Sequence, residues 1–197
     1  MQKPQAWWDQ LEDQWKLAFS QAVFHARTVY TPTDAEILDL WTMPVLRFAS
    51  PGSENPNMGF DLTNLSGLKG LKNLELLFVT HHEITSLEEI SALTQLKQLV
   101  VYNNKIESLS GVEKMLNLEK LFVHKNQISS LEKIAFLSHL QEISCFKNPL
   151  KSLQGLDVRH QPKLQSILAL PNDHLSEIEI KRAEKATGLT LEKGTRR

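Results

Sequence analysis

Cysteine is almost missing from this chain. Its 197 residues hold one, Cys145, so no intrachain disulfide can form. Long apolar runs are missing too: nothing approaches the ~18 consecutive apolar residues of a spanning helix. The opening Met-Gln-Lys-Pro-Gln-Ala-Trp-Trp-Asp has no apolar h-region, so a cytoplasmic location is expected. Charge of one sign does not dominate. Lys and Arg number 22 against 23 Asp and Glu, a formal net charge of −1, which gives no global pull toward nucleic acid or an anionic membrane. There is no Gly-rich phosphate loop, and His81-His82-Glu83 lacks the His-Glu-x-x-His spacing of zinc peptidases. What is there, 41% hydrophobic and 23% charged residues, suits one soluble globular domain with a real core.

The positive signal is an echo. Leu74, Leu96, Leu118 and Leu140 recur 22 residues apart, as do His82, Asn104, Asn126 and Asn148, and Ile84, Ile106, Ile128 and Leu150. Self-similarity at a fixed period marks a repeat architecture. Each copy reads as Leu74-x-x-Leu77-x-Val79-x-x-His82-x-Ile84 does, with Asn at the His82 position in later copies. Leu62-Thr-Asn-Leu65 matches Ile84-Thr-Ser-Leu87 and opens the array with a partial repeat. Near its end, Leu164-x-x-Ile167-x-Ala169-x-x-Asn172 restores the motif after a spacing of 24, which places two extra residues around 159–161. Cys145 takes the place of Val79, Val101 and Val123, where a small buried apolar group is wanted.

This pattern, over residues 62–175, resembles the leucine-rich repeat family, in the 22-residue class of phosphatase-regulator and internalin-type proteins. The flanks are similar to those of short bacterial leucine-rich repeat proteins of unassigned function. The resemblance implies an α/β solenoid with a parallel concave β-sheet and helical N- and C-terminal caps. It also implies an Asn ladder that satisfies backbone groups at the turns; where His82 replaces Asn the ladder either breaks or is made good by the N-terminal cap. We expect one structural domain in three parts: cap and loop over 1–60, repeats over 61–174, and cap helix and tail over 175–197.

Around the repeats, residues 5–24 predict one amphipathic helix with Trp8, Leu11, Trp15, Ala18, Phe19 and Ala22 on a face. Every solenoid needs such a cap, although Trp7, Trp8 and Trp15 could instead serve a ligand. Thr33-x-x-Glu36 is a capping box that starts a second helix, and Met43 to Phe48 predicts a short strand. Residues 49–59, rich in Pro, Gly and Asn, form a loop: a connector, or a functional overhang. Ser176-x-x-Glu179 is another capping box, starting a helix that runs to about Thr187 and is ended by Gly188; Leu189 and Leu191 add an edge strand, and 194–197 is a frayed tail.

Strand side chains alternate between faces. With Leu77 and Val79 inward, four outward rows run across the repeats. They begin at Leu76, at Phe78 (then Val100, Phe122, Ser144, Leu168), at Thr80 (then Tyr102, His124, Phe146, Leu170) and at His81 (then Asn103, Lys125, Lys147, Pro171). The middle rows are apolar or aromatic where solvent is expected, and such patches mark interaction sites. The candidate partner-binding residues are Phe78, Val100, Tyr102, Phe122, His124, Phe146, Lys125 and Lys147. The same strip could be covered by the 49–59 loop, by a cap helix or by a second copy of the chain.

No catalytic constellation is evident, and no cofactor or metal is implied. His81 and His124 lie two strands apart, roughly 9–10 Å, too far for one ion at bond lengths near 2 Å. Lys120, Lys125 and Lys147 beside aromatics could hold nucleic acid, but Glu142 interrupts them; Lys125 and Lys147 better suit an acidic stretch of a protein. The expectation is a non-catalytic protein-binding scaffold, monomeric or weakly dimeric, with no membrane contact and an unidentified protein or peptide partner. The alternatives are a regulatory subunit of an enzyme, or an enzyme whose site lies between the N-terminal helices and the 49–59 loop.

Overall fold

The computed structural model describes residues 3–194. Seven strands form one parallel sheet in chain order: β1 (Val45–Ala49), β2 (Leu76–Thr80), β3 (Gln98–Val100), β4 (Lys120–Phe122), β5 (Glu142–Ser144), β6 (Ser166–Leu170) and β7 (Glu192–Lys193). The register aligns the repeat leucines, with Leu77 beside Leu99, Leu99 beside Leu121, Leu121 beside Ile143 and Ile143 beside Ile167. All five are fully buried, as the alternation requires. The chain returns through short 3-10 turns, Ser66–Leu68, Glu88–Ile90, Val112–Lys114 and Glu132–Ile134. Those turns bury Leu68, Ile90, Val112 and Ile134 against the back of the sheet. This is a leucine-rich repeat solenoid.

The middle strands are three residues long, and each of β2–β5 is followed by the same kind of turn. His81, Asn103, Lys125 and Lys147 all have positive φ, between 54° and 64°. A residue in the left-handed region cannot continue a strand. So the row expected to extend the strands outward from His81 is instead a line of turn residues.

Beneath that line runs the amide ladder. Asn104 Oδ1 accepts from Ile84 N (3.2 Å), Asn126 Oδ1 from Ile106 N (3.0 Å) and Asn148 Oδ1 from Ile128 N (3.0 Å). Their Nδ2 groups donate to Val79, Val101 and Val123 carbonyls of the preceding repeat. The expected break at His82 does not occur. Its Nδ1 accepts from Leu62 N at 3.1 Å, in the role of an Asn oxygen. At the far end Asn172 Oδ1 accepts from Asn148 N, so the longer last repeat shifts the rung. The two added residues fall between buried Leu156 and Leu164, and buried His160 fills the space there with Nε2 at 3.2 Å from the Ile134 carbonyl. Cys145 is a buried free thiol that desolvation pushes up to about 12, which fits structural filler.

The N-terminal cap differs from the single helix expected over 5–24. It comprises α1 (Pro4–Asp9) and α2 (Asp13–Ala22). Glu12 is extended between them and its carboxylate accepts from Ser66 Oγ (2.7 Å) and Asn64 Nδ2 (2.9 Å), tying the break to the first repeat. Trp7, Trp8, Trp15 and Phe19 are buried, and Trp15 stands edge-on to Phe48 of β1 at 5.2 Å. A Cβ at Gly67 would overlap the Trp15 ring at 2.2 Å, so glycine is required there. The Trp residues therefore serve the cap. The Thr33–Glu36 box starts α3 (Asp34–Thr42) with both reciprocal bonds formed.

The 49–59 loop seals the open edge of β1. Asn57 Nδ2 donates to Arg47 O (2.7 Å), Asn57 Oδ1 accepts from Ala49 N (2.8 Å), and Asn57 N donates to Ala49 O (3.1 Å). A free edge would otherwise invite pairing with another chain. At the other end α4 (Glu177–Thr187) is capped by Ser176 and stopped by Gly188 at φ 75°. Glu179 does not complete a capping box; its carboxylate accepts from Ser152 Oγ and Leu153 N instead, binding the helix to the array. The last strand lies at Glu192–Lys193, past Leu189. Gly194, expected to fray, donates to Leu170 O at 2.7 Å, and 195–197 lie outside the described residues.

Candidate functional site

The candidate residues come together on the outward face of β2–β5 and its turn-side margin. Parallel pairing sets Phe78 beside Val100, Val100 beside Phe122, and Phe122 beside Ser144. The row also extends where the sequence reading did not take it, because Arg47 of β1 pairs with Phe78. The alternation Val45-Leu46-Arg47-Phe48-Ala49, with Leu46 and Phe48 buried, carries that signal.

One residue further on, the rings form a stack. Tyr102 and His124 lie 4.5 Å apart at 11°, and His124 and Phe146 lie 4.4 Å apart at 9°. His81 meets Tyr102 edge-on at 5.3 Å. Each repeat places one ring on its neighbour because strand spacing, about 4.8 Å, is close to a stacking distance. Stacking contributes about 0.5–1.5 kcal/mol per pair beyond area, so this strip also supports the fold.

The eight candidates are unequally presented. Phe78, Tyr102, Phe122, His124 and Lys125 are half-buried and Lys147 is exposed. Val100 and Phe146 are each only 4% exposed. Phe146 is covered from within, by a segment the sequence reading left as tail: a Cβ on Gly194 would strike the Phe146 ring at 2.1 Å. The strip is thus closed at its C-terminal end and open over β2–β4.

Electrostatics separate its margins. On the strand-start side Lys120 pairs with Glu142 at 2.6 Å and Lys97 with Glu75 at 2.7 Å, cancelling charge between repeats. On the turn side the ammonium groups of Lys125 and Lys147 act on His124; burial and Lys125 lower the neighbouring His81 as well, so it too is neutral at pH 7. Burial first, and those cations second, hold the His124 imidazole down at about 4, so it is neutral at pH 7. Its Nδ1 lies 2.9 Å from Ser144 Oγ. That Ser–His contact is not a nucleophile and base. Ser144 is 2% exposed, no carboxylate among the described residues bonds the imidazole, and a base titrating near 4 is poorly matched to neutral pH.

The rival location, between the N-terminal helices and the 49–59 loop, holds an open hollow of about 450 Å³ lined by Gln21, His25, Arg27 and Met58; a second, of about 430 Å³ between the loop and the repeat turns, is lined by Ser50, Asp61, His81 and His82. There Ser50 Oγ accepts from Gly52 N and His82 Nδ1 from Leu62 N, so both are spent on backbone. Burial pushes His82 to about 4, partly offset by the Phe48 carbonyl and Asp61. Among the described residues no three of His, Cys, Asp and Glu converge as metal ligands. No described helix is long and apolar enough to cross a membrane. On the side away from the sheet face, Phe136 is 68% exposed beneath the Arg159 guanidinium at 4.6 Å, an apolar contact the period does not predict.

A known structure agrees with this architecture. A leucine-rich repeat protein of Leptospira interrogans superposes with a TM-score of 0.64 at 24% identity, over 86% of this chain and 41% of its own. An internalin of Listeria monocytogenes matches with a TM-score of 0.49 at 21% identity, over 73% of this chain and 52% of its own. The chain therefore spans about two fifths to one half of the length of these structures. No family model matches the sequence, and no curated protein matches it. Repeat pattern, ladder and superposition define a protein of the leucine-rich repeat fold.

Proposed function

We propose that the chain is a non-catalytic scaffold that binds a protein or peptide on the concave face of its repeat array. The observation that carries this is the half-buried strip of Phe78, Tyr102, Phe122 and His124, bordered by Lys125 and Lys147. Folding gains little from leaving such side chains part-wet, whereas a partner gains about 25 cal/mol per Å² of apolar surface it covers, before the costs of association. Aromatic side chains are the usual anchors of interfaces. The reading treats 1–60 and 175–197 as caps and places the protein in the cytoplasm, in keeping with a buried, unpaired thiol.

The test is capture from extracts of the source cell by wild-type protein and by Tyr102→Ala with Phe122→Ala. The double variant should lose the partner while keeping a cooperative melt, lowered only by the ring contacts removed. Recovery of the same partner at wild-type yield would overturn the reading.

A further inference from the structure

Phe146 is buried without belonging to the core. It is 4% exposed, yet it is not part of the apolar cluster that fills the solenoid. Its place is in the outward ring column, 4.4 Å from His124 and 9° from parallel with it. What closes over it is backbone. Gly194 follows β7, the edge strand, and still lies on a ring that follows β5, with β6 between. A Cβ there would come within 2.1 Å of Phe146 Cδ1 and 2.4 Å of its Cγ. Gly194 has no positive φ, so its backbone conformation does not call for glycine. The close approach to the ring does.

The segment that makes this cover is lightly held. Leu191 is the last core side chain among the described residues, and its N–H donates to Glu184 Oε1 at 3.0 Å. Beyond it Glu192 and Lys193 are exposed. Their pairing with β6 is irregular, with a register shift between Leu168 and Leu170, and Gly194 N donates to Leu170 O at 2.7 Å. Lifting 192–194 breaks this backbone pairing and uncovers Phe146, while Leu191 can stay in the core. Terminal segments with few buried contacts open at low cost. Phe78, Tyr102 and Phe122, by contrast, are half-buried.

We infer that β7 and Gly194 form an autoinhibitory strap over the C-terminal end of the concave face: they lie on Phe146 in the partner's place, and a bound protein segment sets an apolar side chain on that ring once the strap lifts. This rests on the concave-face reading and adds how access to the face is controlled. With the strap down, the open part of the ring column ends at His124. With it up, Phe146 joins the column, and the apolar area a partner can cover grows by one ring. The outer edge of β7 offers only two residues for an added strand, and a strand there would hold the strap down.

The test uses the full chain, the dye anilinonaphthalene sulfonate as an apolar probe, and two variants, Gly194→Ala and Gly194→Ala with Phe146→Ala. Phe146 is held against His124, so the added methyl should move the strap. Hydrogen exchange of the amide at position 194 reads whether the strap is down, and a soluble nitroxide reads access to the Phe146 ring protons by NMR. Gly194→Ala should keep the wild-type melt, exchange that amide about tenfold faster or more, expose the ring and bind the dye about fivefold more tightly. Phe146→Ala makes room for the methyl, so the double variant should regain protection at 194 and lose the gain in dye binding. In the wild type, saturating dye should speed exchange at 194. A protected amide over a shielded ring in Gly194→Ala would overturn the strap. So would a freed amide with no gain in dye binding, a gain that survives Phe146→Ala, or unchanged or slower exchange in the dye-saturated wild type. A large drop in the melting midpoint of Gly194→Ala would make the segment part of the cap and overturn it too. Failure of the concave-face reading itself is seen separately, in capture by Tyr102→Ala with Phe122→Ala, which leaves Gly194 and Phe146 in place.

Discussion

Replacing Asn126 by alanine removes the centre of the amide ladder. Its Oδ1 accepts from Ile106 N at 3.0 Å, and its Nδ2 lies 3.0 Å from both the Val101 and Val123 carbonyls. The side chain is buried beneath the turn residues. Alanine orphans one backbone donor, Ile106 N, and takes one of two amide donors from the Val101 and Val123 carbonyls, which keep Asn104 and Asn148. The orphaned donor costs about 1–3 kcal/mol and each of the two lost amide bonds about 0.5–1.5, so the loss should be about 2–6 kcal/mol. That is a large share of the roughly 5–15 kcal/mol a domain has in total. Asn126→Asp is the sharper control: it keeps the acceptor for Ile106 N but aims a carboxylate at two carbonyls, and should cost at least as much. Urea unfolding followed by tryptophan fluorescence and by circular dichroism measures both. A loss under about 1 kcal/mol for either variant would refute the view that these amides hold the turns.

Three further outcomes follow from the same geometry. His82 titrates near 4 when folded and near its ordinary 6.5 when unfolded, so the unfolded chain binds more protons between those values and stability falls as pH drops through that window. His82→Asn restores the side chain of the other rungs; it should fold normally and remove up to roughly 3 kcal/mol of that acid sensitivity, and an unchanged pH profile of urea midpoints would contradict the assignment. Leu121→Ala should cost about 2–5 kcal/mol, whereas Lys120→Ala, which breaks only a half-exposed ion pair, should cost under about 1; similar midpoints for the two would reverse inside and outside. Deleting residues 1–42 strips Trp15 and Phe19 from Phe48 and should give an aggregating chain by light scattering; a soluble, cooperatively melting truncation would remove α1–α3 from the fold's requirements.

The solenoid was legible in the sequence because its cause is periodic. A residue such as Leu121 is inward in every copy, and 22-residue spacing states that directly. The strip was legible for the same reason, since outward residues are read off once inward ones are known. What was hidden depends on non-periodic parts. Nothing in the chain order shows that Asn57 reaches back to β1, that Glu12 breaks a helix to hold Ser66, or that Gly194 lies on Phe146. The ladder at His82 was hidden differently. An imidazole Nδ1 and an amide Oδ1 accept the same hydrogen bond, but residue identity alone does not say which ring atom faces Leu62. Likewise the apolar letters at Val100 and Phe146 predicted contact surface, whereas neighbouring side chains and the C-terminal strand take up most of it.

The most direct test of the central claim, that the concave face holds the partner, is site-specific photocrosslinking in the source cell. A photoreactive phenylalanine is placed at Phe122 on the strip, or at Phe136 on the opposite side. Phe122 should yield a discrete crosslinked protein, lost when Lys125→Glu and Lys147→Glu are added, and Phe136 should yield none. A partner crosslinked from Phe136 and not from Phe122 would contradict the account.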